Sequence, residues 1–301
     1  MKTTIVGAGL IGGSMAIDLR KAGLATHIIA VDKNSVNAAR ALELGIADEI
    51  GTLETSLPKS DLVILAIPVN ALAGVVASIL DNVRDNTVVI DAGSTKGNIC
   101  RAVANHTRRG LFVAAHPIAG TENSGPEAAF SGLFNDKTNI ICEKDKSSPE
   151  ALAVAAKVFD SLGMNTIFME AEEHDRHVAY VSHLSHVSSF LLGQTVLDIE
   201  KDEKNIFALA GSGFASTVRL AKSSPEMWGP IFEQNLDYLS QALQEYIMHL
   251  QKFHYHLLKR DIDALNKIMT GANEIRRVLE GIELKQRNGS YKKSEVEQTN
   301  L

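Results

Sequence analysis

Within the first thirteen residues lies a glycine pattern that few folds accommodate. Ile5-Val6-Gly7-Ala8-Gly9-Leu10-Ile11-Gly12-Gly13 sets a G-x-G-x-x-G run between a β-branched stretch, Thr3–Val6, and a helical periodicity, Leu10–Ala22. The first glycine closes a tight turn, the second lets backbone approach a diphosphate, and the third lets the helix pack close to the strand. The unpaired N–H groups of the helix N-terminus then face the anion. Twenty residues beyond Gly12, Asp32 ends the next β-branched run, Ile28–Val31. A carboxylate there accepts hydrogen bonds from ribose hydroxyls and repels a 2′-phosphate. NAD is therefore expected over NADP, with Lys33 alongside softening the preference.

The rest of the first half repeats this alternation. Further strands are expected at Leu62–Ala66, Thr87–Ile90, Phe112–Ala115 and Asn139–Cys142, and a helix at Ser35–Leu44. Alternating β and α units predict a parallel, doubly wound sheet of the Rossmann type. Near Met169 the pattern changes to long helical runs, at about 171–199, 224–252 and 261–284, with Ser224-Pro225-Glu226 a good helix start. An α/β domain over 1–169, an all-helical domain over 170–284 and a polar tail over 285–301 are expected.

With 45% hydrophobic and 22% charged residues, the 301-residue chain reads as globular, apart from the tail, where disorder is expected. A net charge of −6 gives no reason to expect nucleic acid or an anionic membrane as partner. Cys100 and Cys142 are too few for a disulfide framework or a zinc site and read as buried thiols. The apolar start breaks into glycines without a cleavage pattern, and Leu62–Val76 is interrupted by Pro68 and Asn70. A cytoplasmic protein is expected.

Polar residues at strand ends are the candidates for chemistry, because ligands of open α/β sheets bind outside the carboxyl ends of the strands. Ser94 follows the strand ending at Asp91, and His116 follows Phe112–Ala115. An imidazole there can take a proton near neutral pH, through a group of ordinary pKa about 6.5. By position alone His116 is equally a satisfied structural histidine and Ser94 equally a helix cap. On the first long helix, Ser182, Ser185, His186 and Ser189 recur at helical spacing among Val178, Val181, Val187, Phe190 and Leu191, a polar stripe that needs partners. His183 and His186 invite a metal reading, but no third ligand stands at sensible spacing, so no metal is expected. Arg219 lies among apolar and small residues, where its charge calls for an acid or an anionic ligand. Trp228 reads as packing.

Together these segments resemble the prephenate and arogenate dehydrogenases of tyrosine biosynthesis, over roughly residues 1–283. The resemblance rests on Gly7–Gly13, Asp91–Gly97, His116-Pro117-Ile118-Ala119-Gly120-Thr121-Glu122, Ser182–His186, and Arg219 with Pro225–Trp228. It implies that His116 accepts the hydrogen bond of the substrate hydroxyl, that Ser94 assists, and that Arg219 binds a substrate carboxylate. Ser182 and His186 then line the substrate cleft. Gly7, Gly9, Leu10, Ile11, Gly12, Asp32, Pro68 and His183 form the implied NAD-binding set. The implied helical domain forms a homodimer. Two departures stand out: Ser185 replaces a common proline, and Ala215-Ser216 replaces a common Arg-Asp pair.

The chemistry so implied is NAD-dependent oxidative decarboxylation of prephenate, with aromatisation of the ring as its driving force. Arogenate carries an amino group in place of the keto group, and Glu122 is the candidate partner for it. A β-hydroxyacid dehydrogenase is a weaker reading, since such enzymes carry a catalytic lysine early on the interdomain helix and no lysine lies between Lys157 and Lys201. A silent dinucleotide-binding sensor has no use for His116, Ser94 and Arg219 together.

Overall fold

The computed structural model describes residues 1–202 and 206–281. The chain runs β1 (Lys2–Val6), α1 (Leu10–Lys21), β2 (His27–Val31), α2 (Ser35–Glu43), β3 (Glu49–Ile50), α3 (Leu53–Ser56), β4 (Leu62–Leu65), α4 (Val69–Asn82), β5 (Val88–Asp91), α5 (Gly97–Val103) and β6 (Phe112–Pro117). It continues with β7 (Thr138–Cys142), α6 (Pro149–Ser161) and β8 (Asn165–Met169), then α7 (Ala171–Val178), α8 (Leu184–Asp202), α9 (Ser212–Val218), α10 (Pro225–Gln234), α11 (Leu236–Leu258) and α12 (Ile262–Ala272).

The strands form one sheet in the order β3-β2-β1-β4-β5-β6-β7-β8. Alternate residues of each inner strand feed opposite cores. Leu62 and Ile64 pack with Ile5, Met15, Leu19 and Phe159 on one side. Val63 and Leu65 pack with Leu72, Val76, Leu80 and Phe112 on the other. Burial on both faces explains why β4 and β5 read as unbroken apolar runs. The chain leaves β1 toward one neighbour and returns at β4 on its other side, so the order reverses between them. That reversal opens a crevice beyond the carboxyl ends of β1 and β4.

The architecture is the expected one, an α/β sheet domain followed by helices, with three corrections. The sheet is not wholly parallel: β7 runs antiparallel to β6, Ala114 opposite Cys142, and β8 pairs parallel with β7. The edge strands β3 and β8 were not expected, because β3 is two residues long and β8 is half exposed, so neither carries a full apolar pattern. The first long helix is interrupted by a π-helical turn, Ala179–His183. The second breaks at Asn235, between α10, which contains Pro230, and α11. The third is interrupted by a 3-10 turn, Asn273–Ile275, and is helical again over 276–281. The expected tail 285–301 lies outside the described residues.

Two compact units divide the chain, 1–239 and 240–301. In the first, α7 is tied to the sheet's loops through Asp175, which accepts from the N–H groups of Lys96 and Gly97, both at 2.7 Å. The second exposes Leu250, Leu257, Leu258, Ile262, Met269 and Ile275, a density of apolar side chains unusual for free surface. Among the described residues no helix is long and apolar enough to cross a membrane. Cys100 and Cys142 are free and buried, and burial pushes the Cys100 thiol up to about 12.

Candidate active site

The glycine loop leaves β1 at Gly7, whose φ of +94° is left-handed and whose missing Cβ would stand 2.5 Å from the Ala66 carbonyl oxygen. A Cβ on Gly12 would stand 2.1 Å from the Gly7 carbonyl oxygen, so only glycine lets α1 start this close to the strand. Gly9 differs: its nearest neighbour would be Gly125 N at 4.0 Å, leaving the space over the loop open. No side chain caps α1 and no acid occupies its first turn, so the N–H groups after Gly9 are free for an anion. Asp32, at the end of β2, accepts from Ala8 N at 3.0 Å and from Asn34 N at 2.8 Å, which fixes its carboxylate beside the loop. Pro68 is exposed at the N-cap of α4, directly after β4. Leu10 is buried and Ile11 half-buried in the first turn of α1. These residues fit a dinucleotide: an open cradle, uncapped N–H groups and a carboxylate held beside the loop by Ala8 N.

The carboxyl ends of β5 and β6 bring the next group. Lys96, fully buried, donates to the Asp91 carboxylate and, at 2.6 Å, to the Ala115 carbonyl oxygen. Asp91 also accepts from Ala115 N at 3.0 Å. The strand end that carries His116 is thus clamped from both sides. His116 Nδ1 lies 2.8 Å from His174 Nε2, and His116 Nε2 has no partner among the described residues. Burial holds His116 well below the ordinary imidazole range, with nearby His174, Lys96 and His183 acting in the same sense. The expectation of an ordinary pKa near 6.5 is corrected: the imidazole is neutral well below that pH. Ser94 is half-buried with its hydroxyl unpaired among the described residues, so it does not serve as a cap.

On the helical side the polar stripe does not converge as a unit. Ser185 is exposed and bonds back to the Val181 carbonyl oxygen, while Ser189 is buried and donates to Thr217 O at 2.6 Å. Ser182, half-buried, accepts through its carbonyl from His186 Nδ1 at 3.0 Å, which leaves His186 Nε2 as the free nitrogen. His186 stacks on Trp228 with ring centroids 3.5 Å apart. Trp228 is buried in the core, as expected of a packing residue, and its Nε1–H has no partner among the described residues. His183 is buried and lowered to about 4, chiefly by burial. Asn235 Nδ2 donates both to Asp175 O at 2.7 Å and toward His183 Nδ1 at 3.2 Å, so the His183 proton sits on Nε2.

Arg219 is exposed at the end of α9, without an ion pair among the described residues, and its charge is felt by His186. The expected costly burial does not arise, because the segment 211–219 is open to solvent along most of its length. Glu122 is exposed on the loop after β6 and contacts none of these groups. No cluster of three metal-ligating side chains occurs among the described residues. Sequence reasoning missed His174 and Asp175. The signal was present: Ala171, His174, Asp175 and Val178 occupy the i, i+3, i+4, i+7 stripe that α7 buries, and two of the four are polar.

Residues 15–168 match the family described as prephenate dehydrogenase, nucleotide-binding domain, and residues 170–271 match prephenate dehydrogenase, dimerization domain. A cyclohexadienyl dehydrogenase of Zymomonas mobilis is 29% identical over 263 residues, 87% of this chain and 90% of its own. A prephenate dehydrogenase of Lactococcus lactis is 29% identical over 283 residues, 93% of this chain and 77% of its own. The crystal structure of prephenate dehydrogenase from A. aeolicus in complex with hydroxyphenyl propionate and NAD+ superposes with a TM-score of 0.84 at 30% identity, covering 93% of this chain and 98% of that one.

Proposed function

Since the chain belongs to the prephenate dehydrogenase family, we propose that it catalyses the NAD-dependent oxidative decarboxylation of prephenate to 4-hydroxyphenylpyruvate, with His116 as the base. The observation that carries this reading is the free Nε2 of a neutral His116 at the carboxyl end of β6. Bound NAD supplies the hydride acceptor. His116 Nε2 takes the proton of the ring hydroxyl, and departure of the ring carboxylate as CO2 leaves an aromatic ring. Ser94 holds the same hydroxyl. Arg219 clamps a substrate carboxylate as a bidentate, charge-assisted pair, with Ser182 and His186 lining the cleft. Gly7, Gly9, Leu10, Ile11 and Gly12 would hold the diphosphate and Asp32 the ribose, with Pro68 and His183 completing the NAD-binding set. The chain's part is alignment and proton transfer; the redox chemistry belongs to the cofactor.

We further propose a homodimer joined through the helical region, supported by the dimerization-domain match and the exposed apolar residues of 240–281. Residues 1–169 and 170–284 are the functional division we propose, and the cytoplasm is the proposed compartment, in keeping with two free thiols. The resemblance to a cyclohexadienyl dehydrogenase favours a second reading in which arogenate is also accepted, with Glu122 facing its ammonium group. Prephenate and arogenate, each supplied with NAD or NADP while reduced cofactor is followed by absorbance, decide between them. Prephenate with NAD should be fastest; arogenate-only turnover, or none with either acid, overturns the proposal.

A further inference from the structure

Behind His116 runs a line of buried polar groups that ends on a carboxylate. Asp175 Oδ1 accepts from Lys96 N at 2.7 Å and lies 2.8 Å from His174 Nδ1, while Oδ2 accepts from Gly97 N at 2.7 Å. Burial raises the Asp175 carboxyl, but the hydrogen bonds from His174, Lys96 N and Gly97 N outweigh it and leave it below its ordinary range. An ionised carboxylate only accepts, so the proton between Asp175 and His174 belongs to His174 Nδ1. His174, fully buried, is itself lowered: burial outweighs the pull of Asp175. The charged groups facing it are Asp175 on α7 and Lys96 and Asp91 at the end of β5, with His116 beyond on β6 and His183 on the π turn. In neutral His174, Nε2 is an acceptor. The proton in the 2.8 Å contact with His116 therefore sits on His116 Nδ1, and His116 Nε2 carries a lone pair.

We infer that His174 is a positioning residue for the base: aligned by Asp175, it fixes His116 in the Nδ1–H tautomer and so keeps Nε2 available to the substrate proton. The inference rests on the base proposed above. When Nε2 takes that proton, the His116 imidazolium still donates through Nδ1 to His174, and the Asp175 anion lies one ring further on. The geometry holds the base at Nδ1 and leaves Nε2 without a partner among the described residues. Asp175 also caps the turn at Lys96 and Gly97, so loss of activity alone would not separate positioning from architecture.

The discriminating readout is the protonation of individual ring nitrogens. Full-length protein labelled with 15N-histidine, at neutral pH and without substrate, should show His116 with a protonated Nδ1 and an unprotonated Nε2; His116→Asn assigns the signal among the 10 histidines. His174→Phe removes the acceptor behind His116 Nδ1, so His116 should shift toward its Nε2–H tautomer. Turnover at pH 7 should fall toward the low end of the about 10²- to 10⁴-fold scale of general-base catalysis, with NAD affinity nearly unchanged. In a Ser-His-Asp triad, imposing the wrong tautomer on the base costs about 10⁴-fold. A wild-type His116 protonated at Nε2 overturns the inference, as does a folded His174→Phe protein whose His116 stays protonated at Nδ1 alone. Where His174→Phe does not fold, the wild-type spectrum decides alone. Absence of turnover with both substrates would defeat the proposed reaction while leaving the tautomer measurement intact.

Discussion

Lowering the pH from 7 to 5 should weaken this fold, because it buries histidines in the neutral state. His183 is the clearest case. Burial takes its pKa from 6.5 to about 4; Asp175 opposes the shift, and His174 and His186 reinforce it. In the unfolded chain the same imidazole titrates near ~6.5. Between those values the unfolded state binds a proton that the native state refuses, so stability falls as pH falls and is fully present above the unfolded value. At 1.36 kcal/mol per pKa unit, His183 alone should remove about 2 kcal/mol between pH 7 and pH 5. His116 and His174 are lowered too, chiefly by burial, and add in the same direction. Urea unfolding at fixed protein concentration, followed by circular dichroism at several pH values, measures the slope. His183→Asn keeps an oxygen that can accept from Asn235 but does not titrate, so its stability should fall by about 2 kcal/mol less over the same interval. A wild-type stability that is flat from pH 7 to pH 5, or a variant with the wild-type slope, would refute the reasoning.

His116→Asn should lower turnover about 10²- to 10⁴-fold with NAD affinity retained. Because the neutral imidazole is the active form, wild-type kcat/KM should be level from pH 8 down through 6.5 and drop only below it, and that acid limb should vanish in the variant; a wild-type limb at 6.5 contradicts the lowered His116. Arg219→Ala should raise KM for prephenate far more than it lowers kcat, while NAD affinity barely moves; an equal loss of NAD affinity would make the arginine structural. Gly9→Ala and Gly12→Ala should separate cradle from packing: calorimetry should show NAD binding lost with Tm kept in the first, whose Cβ meets only open space, whereas the second, at 2.1 Å from backbone, should lose stability as well.

What the sequence disclosed follows from which forces are local. The glycine loop, Asp32 and the two-faced strands β4 and β5 were legible because their constraints are steric or come from continuous burial. Strands β3 and β8 were not, since two residues or a half-exposed edge leave little pattern. The antiparallel turn of β7 is a tertiary choice that no periodicity encodes. His116 and His183 stood out in the sequence, but what holds them did not, because their partners lie far along the chain: His174 is 58 positions from His116, and Asn235 is 52 from His183. Arg219 misled for a related reason. Apolar neighbours in sequence suggested burial, but α9 leaves that side open.

The π turn at Ala179–His183 has a consequence for how this protein tolerates insertions and deletions. A π turn is what an α-helix becomes when it holds one residue too many without handing the surplus on to the next turn. Deleting one residue from Ala179–Val181 should therefore close the turn to α geometry and leave α8 in place. Deleting one residue within α7 or α8 should instead rotate everything beyond it by about 100°. Between these two classes lies a point of slack, sited where His183 enters the core. A shortened turn should cost little stability, since a regular ladder replaces a strained one. Its damage should fall on the aim of His183 toward Asn235, and so on the site. Surplus backbone here is the means by which His174 on α7 and His183 on the π turn come to flank the same carboxylate residue.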